Sequence, residues 1–303
     1  MLWFAYFLAV VNAVIIGLSF LFIKVAVSHA SPMDTLSFRF IVATVCCIAA
    51  MKIAKIPMRI DFKRLLPLLL LAMFYPIGFF TFQAYGVTHI SSAEAGILTA
   101  TAPIITAICA AIFIGEKNSP MQFVSILVSV SGVALISIMA GCDFNTGSIT
   151  GIVLILLSCC MSAGYTITNR VLIRSFTAME IALALMVVGT LFFTTFSVMT
   201  HTINGTLSTI LQPLGNWHFT VSILYLGIFS SMLATVFASL ILKQLRAAQL
   251  IVFLNLSTII AMIAGYLFMG EAIHLYHLIA AALIILGVLG TNYFAKQEEI
   301  VAK

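Results

Sequence analysis

The stretch IFIGEKNSPMQFVSILVSVSGVALI (residues 112–136) has a counterpart 155 residues later, LFMGEAIHLYHLIAAALIILGVLG (residues 267–290). Two glycines and a glutamate coincide when the stretches are aligned: Gly115 with Gly270, Glu116 with Glu271, and Gly132 with Gly287. A shift of 146 residues relates the beginnings of the two halves, where it places Lys24 on Arg170, Met33 on Met179 and Asp34 on Glu180. We therefore divide the chain into two repeats, residues 1–141 and residues 142–303.

The composition is that of a membrane protein, since 63% of the 303 residues are hydrophobic, 8% are charged and the mean hydropathy is +1.21. Apolar stretches of about 20 residues, the length that crosses roughly 30 Å of hydrocarbon as a helix, recur along the chain. Lipid-facing strands would instead alternate polar and apolar side chains over about ten residues. We predict an all-α polytopic membrane protein with ten transmembrane helices, at about residues 4–25, 34–51, 65–86, 92–114, 120–139, 148–169, 179–200, 218–242, 247–268 and 274–295.

Each repeat contains five predicted helices, and an odd number inverts one repeat relative to the other across the membrane. Inverted repeats around a site near the bilayer midplane are typical of secondary transporters. Two nearly equivalent halves can exchange conformations and so open the site to alternate sides. The two inverted five-helix repeats therefore indicate transport.

The orientation in the membrane follows from the basic residues, which favour cytoplasmic loops. Twelve of the fourteen lie on one side: Lys52, Lys55, Arg59, Lys63, Arg64, Lys117, Arg170, Arg174, Lys243, Arg246, Lys296 and Lys303. Lys24 and Arg39 lie on the other side. We expect a multi-pass protein of the plasma membrane with both termini in the cytoplasm. The net charge of +5 reflects this asymmetry and does not indicate a nucleic-acid partner.

Cysteine and histidine form no recognisable metal or cofactor motif. The six cysteines contain no CxxC pair, and the GxSxG and HExxH motifs of hydrolases and metalloproteases are absent. We therefore expect no enzyme, no metal and no cofactor. Cys142, in a predicted outer loop, is either a free thiol or a disulfide link to another chain, so a homodimer stays open.

Three stretches carry a resemblance to a known family: GLSFLFIKVAVSHASPMDTLSFRFIVA (residues 17–43), SSAEAGILTATAPIITAICAAIFIGEKNSPMQFVSILVSVSGVAL (residues 91–135) and RAAQLIVFLNLSTIIAMIAGYLFMGEAIHLYHLIAAALIILGVLG (residues 246–290). Over nearly its whole length the chain resembles the EamA branch of the drug/metabolite transporter (DMT) superfamily. It departs from the family at Ile16, where a tryptophan is usual before the first-helix glycine. An aromatic stacking role is therefore in doubt at that position.

The resemblance implies a ten-helix basket in which helices one to four and six to nine surround a central cavity, with helices five and ten packed to one side. Members of the family move amino acids, sugars, nucleotide-related metabolites or drugs, often outward. The expected function is therefore a secondary transporter, an exporter of small polar or amphipathic metabolites such as amino acids, which works by alternating access. The alternative is a channel-like facilitator or a structural membrane scaffold.

Polar residues at helical spacings of three and four share one face of a helix. Such a face occurs in helix six at Ser158, Ser162, Tyr165 and Asn169, and in helix one at Asn12 and Ser19. The substrate-binding candidates on these and other helices are Asn12, Ser19, Phe80, Gln83, Thr99, Tyr165, Asn169 and Asn255. The alternative is that the hydroxyls bond their own backbone at close helix contacts. A large amide or phenol in hydrocarbon instead needs a partner.

Few charged residues lie inside the predicted helices. Arg39, about one turn inside helix two, either pairs with Asp34, snorkels to the surface, or forms an electropositive vestibule for a carboxylate or phosphate. Glu94 follows Ser91 by three residues and either caps helix four or couples transport to protons. Glu116 and Glu271 follow glycines at hairpin tips, where a helix N-terminus favours an acid, and we interpret both as structural.

Two prolines lie within predicted helices of the first repeat. Pro76 in helix three and Pro103 in helix four each remove one backbone hydrogen bond and create a place to bend. We interpret both as gating or hinge positions. The matching helices of the second repeat contain no proline.

The orientation predicts a labelling pattern. In a background with Cys142→Ser, the variants Asn204→Cys and Thr146→Cys should react with impermeant thiol reagents in intact cells. Ile60→Cys should react only after permeabilisation, because residue 60 lies in a predicted cytoplasmic loop. The reverse labelling would contradict the orientation.

Overall fold

A computed structural model describes residues 2–55, 62–86, 89, 99, 102–116, 119–139, 149–269 and 275–301. Every regular element in these ranges is a helix, which confirms the all-helical class. Several positions named above lie outside the described residues: Ile60, Glu94, Cys142, Thr146 and Glu271.

The described residues form thirteen α-helices. In chain order they are α1 (Leu2–Val27), α2 (Pro32–Ile53), α3 (Phe62–Ala72), α4 (Phe79–Gly86), α5 (Ala102–Ile114), α6 (Pro120–Met139), α7 (Ile149–Leu172), α8 (Ala178–Ile203), α9 (Trp217–Tyr225), α10 (Ala234–Leu242), α11 (Ala247–Leu254), α12 (Leu256–Met269) and α13 (Leu275–Val301). A first π-helical segment, Met73–Gly78, joins α3 to α4. A second π-helical segment, Leu226–Leu233, joins α9 to α10.

Eight helices within the described residues are long and apolar enough to cross a membrane. Two shorter apolar helices, Ala102–Ile114 and Pro120–Leu135, coincide with predicted helices four and five. Most of residues 92–101, the first half of predicted helix four, lies outside the described ranges. The multi-pass membrane class is therefore confirmed, and the number ten stays a prediction.

Hydroxyl side chains start α2 and α8 in the same way. Ser31 Oγ accepts a hydrogen bond from the Asp34 backbone N–H at 3.2 Å, and Thr177 Oγ1 accepts one from the Glu180 N–H at 3.2 Å. Glu180 completes a capping box by accepting a bond from the Thr177 N–H at 2.8 Å. Ser31 and Thr177 are 146 residues apart, so the shift that aligns the two halves also aligns these helix starts.

Packing joins helices from the two halves of the chain. α2 packs along α8, α1 packs against α10 and α12, and α7 packs against α4 and α5. α6 and α13, which correspond to predicted helices five and ten, make their most extensive contacts with each other.

Glycine sets the distance between α6 and α13. A Cβ atom at Gly287 would lie 2.5 Å from Ser129 Cβ, and one at Gly132 would lie 2.7 Å from the Ala280 carbonyl oxygen. Both distances are shorter than non-bonded atoms tolerate. The two helices therefore approach this closely because neither position carries a side chain.

The outer surface of the bundle is apolar. Phe113, Leu191 and Leu289, for example, expose 74%, 64% and 63% of their surface. In a water-soluble protein such side chains would be costly at this density, whereas hydrocarbon solvates them. The surface is that of a membrane-embedded bundle.

Replacement of one interface glycine tests this packing. Gly287→Ala should lower stability by about 1–3 kcal/mol, because the added methyl group meets Ser129 and the Ser125 carbonyl oxygen. Gly215→Ala is the control, since a Cβ there meets nothing within 4 Å. Thermal unfolding of the purified proteins in one detergent measures both changes. Equal melting temperatures for the two variants would contradict the contact.

Candidate functional site

Two membrane helices contain a π-helical segment near their middles. In the first π segment Tyr75 is extended, with φ −148° and ψ 122°, directly before Pro76. The helix is thus irregular at the proline that the sequence identified as a hinge. The second π segment contains no proline but holds Gly227, Ser230 and Ser231, and sequence reasoning missed it. Glycine–serine pairs and π-bulges are known causes of helix irregularity. Pro103 is buried in α5, and its hinge role stays a prediction.

Gly227 brings the second π segment against α2. A Cβ atom there would lie 2.7 Å from Val42 Cγ1 and 2.9 Å from the Arg39 carbonyl oxygen. This close approach lets the serines of the segment reach the Arg39 side chain. Nε of Arg39 donates to Ser231 Oγ at 2.6 Å, and Nη2 donates to Ser230 Oγ at 3.1 Å.

Arg39 is buried, with only 4% of its surface exposed. Its guanidinium carbon lies 5.0 Å from the centre of the Phe80 ring and 5.9 Å from that of Phe40, within the range of cation–π attraction. Among the described residues no carboxylate lies within ion-pair distance of it. The Asp34 carboxylate contacts Ser31, Ser197 and His201 instead. Neither pairing with Asp34 nor snorkelling to the surface therefore explains Arg39 in this structure.

Aromatic rings continue from Arg39 towards α7. The Tyr75 ring lies 5.3 Å from Phe80 and 4.8 Å from Tyr165. Phe193 of α8 stacks on Phe40 at 5.4 Å. The sequence identified Phe80 and Tyr165 but missed the other three rings, because an aromatic residue at an apolar helix position has the pattern of ordinary core. Arg39 and these five rings form what we call the central cluster.

Asn169 extends the central cluster by hydrogen bonds. Its Nδ2 donates to Tyr165 Oη at 3.1 Å and to Ser239 Oγ at 3.0 Å. Ser239 Oγ in turn donates to Asn169 Oδ1 at 3.2 Å. Asn169 is fully buried, and its bonds tie α7 to α10. The predicted face of Tyr165 and Asn169 therefore joins Arg39 and Phe80, although Asn169 also holds two helices together.

Asn12 has a different environment. It is 98% buried in α1, and its Oδ1 atom has no hydrogen-bond partner among the described residues. An unsatisfied buried acceptor normally destabilises a fold. Such an atom fits a surface that a ligand completes, as the sequence predicted for Asn12.

The remaining candidates are dispersed. Ser19 Oγ donates to the Ile16 carbonyl oxygen of its own helix at 2.7 Å, which matches the packing alternative. Asn255 Nδ2 donates to Ser129 Oγ at 2.9 Å and thereby ties the junction of α11 and α12 to α6. Gln83 is half-buried in α4, and Thr99 is half-buried too. The structure therefore does not place Asn255 with the central cluster.

Asp34 forms a second polar cluster, at the start of α2. Its carboxylate accepts hydrogen bonds from Ser31 Oγ at 2.7 Å and from Ser197 Oγ, and lies 3.2 Å from His201 Nε2. The cluster lines two adjoining cavities of about 350 and 420 Å³. Sequence reasoning missed the contact of Asp34 with His201, because 167 residues separate them.

The opposite end of the bundle is held by an ion pair. Arg170, near the end of α7, pairs with Glu116 and donates from Nη1 to the carbonyl oxygens of Leu242, at 2.7 Å, and Leu245. Glu116 Oε2 accepts from the Ala247 N–H at 3.1 Å. Glu116 therefore has the predicted structural role of an acid at a helix start, but that helix is α11. We call this set the rim cluster.

The length of α8 separates the two ends. α8 begins eight residues after Arg170, and Asp34 contacts it at Ser197 and His201, about 29 and 35 Å along its axis from Ala178. Within the described part of the chain, no group of three or more His, Cys, Asp or Glu residues is placed to hold a metal ion.

Comparisons with known proteins agree on one family. A sequence model of the EamA-like transporter family matches residues 3–138 and 149–293. The chain is 35% identical to the uncharacterized transporter YcxC of Bacillus subtilis, over 95% of this chain and 92% of that protein. It is 26% identical to a probable terminal-alkyne amino-acid exporter of Streptantibioticus cattleyicolor, over 80% and 79% of the two chains. A crystal structure of 16% identity has the same fold, with a TM-score of 0.76 over 97% of this chain and 98% of the other.

The two buried asparagines should respond differently to leucine, which has the same branched shape but no polar atoms. Asn169→Leu should lower stability by about 1–3 kcal/mol, because it removes the hydrogen bonds of Asn169 to Tyr165 and Ser239 and leaves the buried Tyr165 hydroxyl without this donor. Asn12→Leu should leave stability unchanged or raise it, because no described hydrogen bond of Oδ1 is lost. Thermal unfolding measures both, with Val153→Ala, at a half-exposed position of α7, as control. An equal loss in both asparagine variants would show that Asn12 too serves packing.

Proposed function

Because this chain belongs to the EamA-like transporter family, we propose that it is a secondary transporter that exports small polar or amphipathic metabolites. Amino acids and related compounds are the proposed substrates, and alternating access around the central cluster is the proposed mechanism. We place the protein in the plasma membrane with both termini in the cytoplasm, on the distribution of its basic residues.

Two inverted repeats, residues 1–141 and 142–303, are part of the proposal. The helix contacts support them, because exchanging the two halves turns one observed contact into another. The contact of α1 with α12 corresponds to that of α7 with α5, and the contact of α1 with α10 corresponds to that of α7 with α4. Thr44 and Thr190, which are 146 residues apart, touch through their hydroxyl oxygens at 2.8 Å. Equivalent residues meet in this way at a twofold axis.

One observation supports the transport mechanism most strongly: two helices with π-helical segments, one from each half, meet at the same buried arginine. Arg39 donates to the second π segment and lies over Phe80, two residues beyond the first. Secondary transporters often bind their substrates beside discontinuous helices at a repeat interface, and the first helix is broken in this way at Tyr75. A π-helical segment also gives each helix a place to bend, so that the ends can move while the middle keeps its contacts.

The two end clusters support alternating access. The rim cluster closes the end at which most basic residues lie, the proposed cytoplasmic end. The Asp34 end carries two open cavities. We propose that loading from the cytoplasm requires separation of Arg170 from Glu116, with closure around the Asp34 cavities, and that release reverses both movements.

One relative further supports the proposed direction of transport and the proposed substrate class. A relative named as a probable terminal-alkyne amino-acid exporter covers most of the chain, though at 26% identity. Export of an amino acid or a similar compound is therefore our first choice for a substrate panel. Coupling to protons is an open element of the proposal, with Glu94 as the candidate residue.

The proposal is tested with purified protein in liposomes. Radiolabelled amino acids and related metabolites are loaded inside, and exit and counterflow are measured with and without a pH gradient. At least one compound should show saturable counterflow. A carrier has a limited number of binding sites, and it exchanges substrate between the two sides when it returns loaded. Flux that does not saturate, together with unitary currents in a bilayer, would indicate a channel. No movement of any compound would contradict the proposal.

Asn12→Leu and Tyr165→Leu should abolish counterflow while folded protein remains in the membrane. The first removes the unpartnered acceptor, and the second removes a ring and a hydroxyl of the central cluster. Val153→Ala should transport normally. Melting temperatures of the same preparations separate loss of the site from loss of the fold. Transport at the parental rate in both leucine variants would exclude these residues from the site.

A further inference from the structure

Arg39 is a buried cation, and no described residue supplies a counterion for it. Arginine stays protonated in proteins, and a buried charge without a counterion is costly. The serine hydroxyls and the faces of Phe40 and Phe80 compensate only part of that cost. The observed hydrogen bonds to described residues use Nε and Nη2, so they leave the two N–H groups of Nη1 for another acceptor.

The fold itself does not need a cation at this place. The 146-residue shift that aligns the two halves places Arg39 on Leu185 of α8. Leu185 is also fully buried, in the apolar cluster that α8 shares with α2. The same helix position is therefore occupied by leucine in one half and arginine in the other. A purely structural role would not require that difference.

The guanidinium group is suited to one kind of ligand. Its planar fork matches a carboxylate, which it can bind through two parallel hydrogen bonds. Among the described side chains, Arg39 is the one cation that contacts the rings of the central cluster. A single positive charge balances a carboxylate, whereas a doubly charged phosphate monoester would retain a net charge in an apolar surround.

The neighbouring side chains indicate the rest of the ligand. The centre of the Tyr75 ring lies 5.3 Å from that of Phe80 and 4.8 Å from that of Tyr165, so the three rings form an apolar path away from Arg39. We infer that Arg39 binds the carboxylate of the transported molecule, whose apolar or aromatic body lies along these rings. This inference rests on the proposed transport function and narrows it to carboxylate-bearing metabolites.

Pairs of acids and amides test the inference, since the two members have nearly the same shape and differ in charge. The probes are phenylalanine with phenylalaninamide, leucine with leucinamide, and phenylacetate with phenylacetamide. Each is assayed as a competitor of counterflow and, separately, as a stabiliser of the purified protein in thermal unfolding. We expect at least one acid to compete and stabilise at about tenfold or more lower concentration than its amide.

Variants assign the preference to Arg39. Arg39→Gln should remove the difference between acid and amide, and Arg39→Lys should keep part of it, because the charge remains but the fork is lost. Ser231→Ala is the matched control, since it removes a partner of Arg39 and leaves the cation, and should keep the preference. If Arg39→Gln does not fold, Arg39→Lys decides the question, since it keeps the charge but should lose part of the preference for the acid.

The outcomes separate the two proposals. Transport of amides or amines as efficiently as acids would overturn the carboxylate inference and leave the transport function standing. Failure of every acid to bind or compete, in a protein that transports other compounds, would overturn it too. Stabilisation by an acid but not its amide, lost in Arg39→Gln, would support the site even if no compound in the panel moved.

Discussion

The constraint on which this structure depends is the need to satisfy every polar group inside an apolar surround. A backbone in hydrocarbon has no water to bond, so each crossing segment must be a helix that bonds to itself. With 63% hydrophobic residues the chain has enough apolar surface to face lipid, and only a few polar side chains lie among them. Where those side chains find partners determines which helices meet and where the bundle can hold a ligand.

Helix association in such a surround relies on close fit, because burying apolar surface against protein gains little over burying it in lipid. The α6–α13 pair fits through Gly132 and Gly287. The α2–α8 pair adds hydroxyl contacts between Ser37 and Thr194, at 3.0 Å, and between Thr44 and Thr190. Contacts of these kinds join the two halves of the chain, so the architecture arises from the fit between halves.

The polar residues divide into those whose bonds to other helices satisfy them and those that keep an unpaired acceptor or an unbalanced charge. Asn169, Asn255 and Arg170 belong to the first group, because each bonds to a different helix. Asn12 and Arg39 belong to the second, since one has an acceptor without a partner and the other a charge without a counterion among described residues. A binding surface must contain groups of the second kind, because a fully satisfied group offers a ligand nothing.

The sequence by itself determined the membrane class, the positions of most helices and the family, and it predicted the repeat. Hydropathy, helix periodicity and aligned motifs are local properties, and local physics places a helix wherever twenty apolar residues follow one another. It also identified Arg39, Phe80, Tyr165 and Asn169 as polar or aromatic residues that need an explanation. The hydrogen-bond and packing partners of these residues could not be predicted from the sequence. Arg39 bonds to serines 191 and 192 residues away, and Asp34 meets His201 instead of Arg39. Only the tertiary structure decided these contacts, because they depend on which helix faces pack, and close packing is a property of the whole bundle that no single helix encodes.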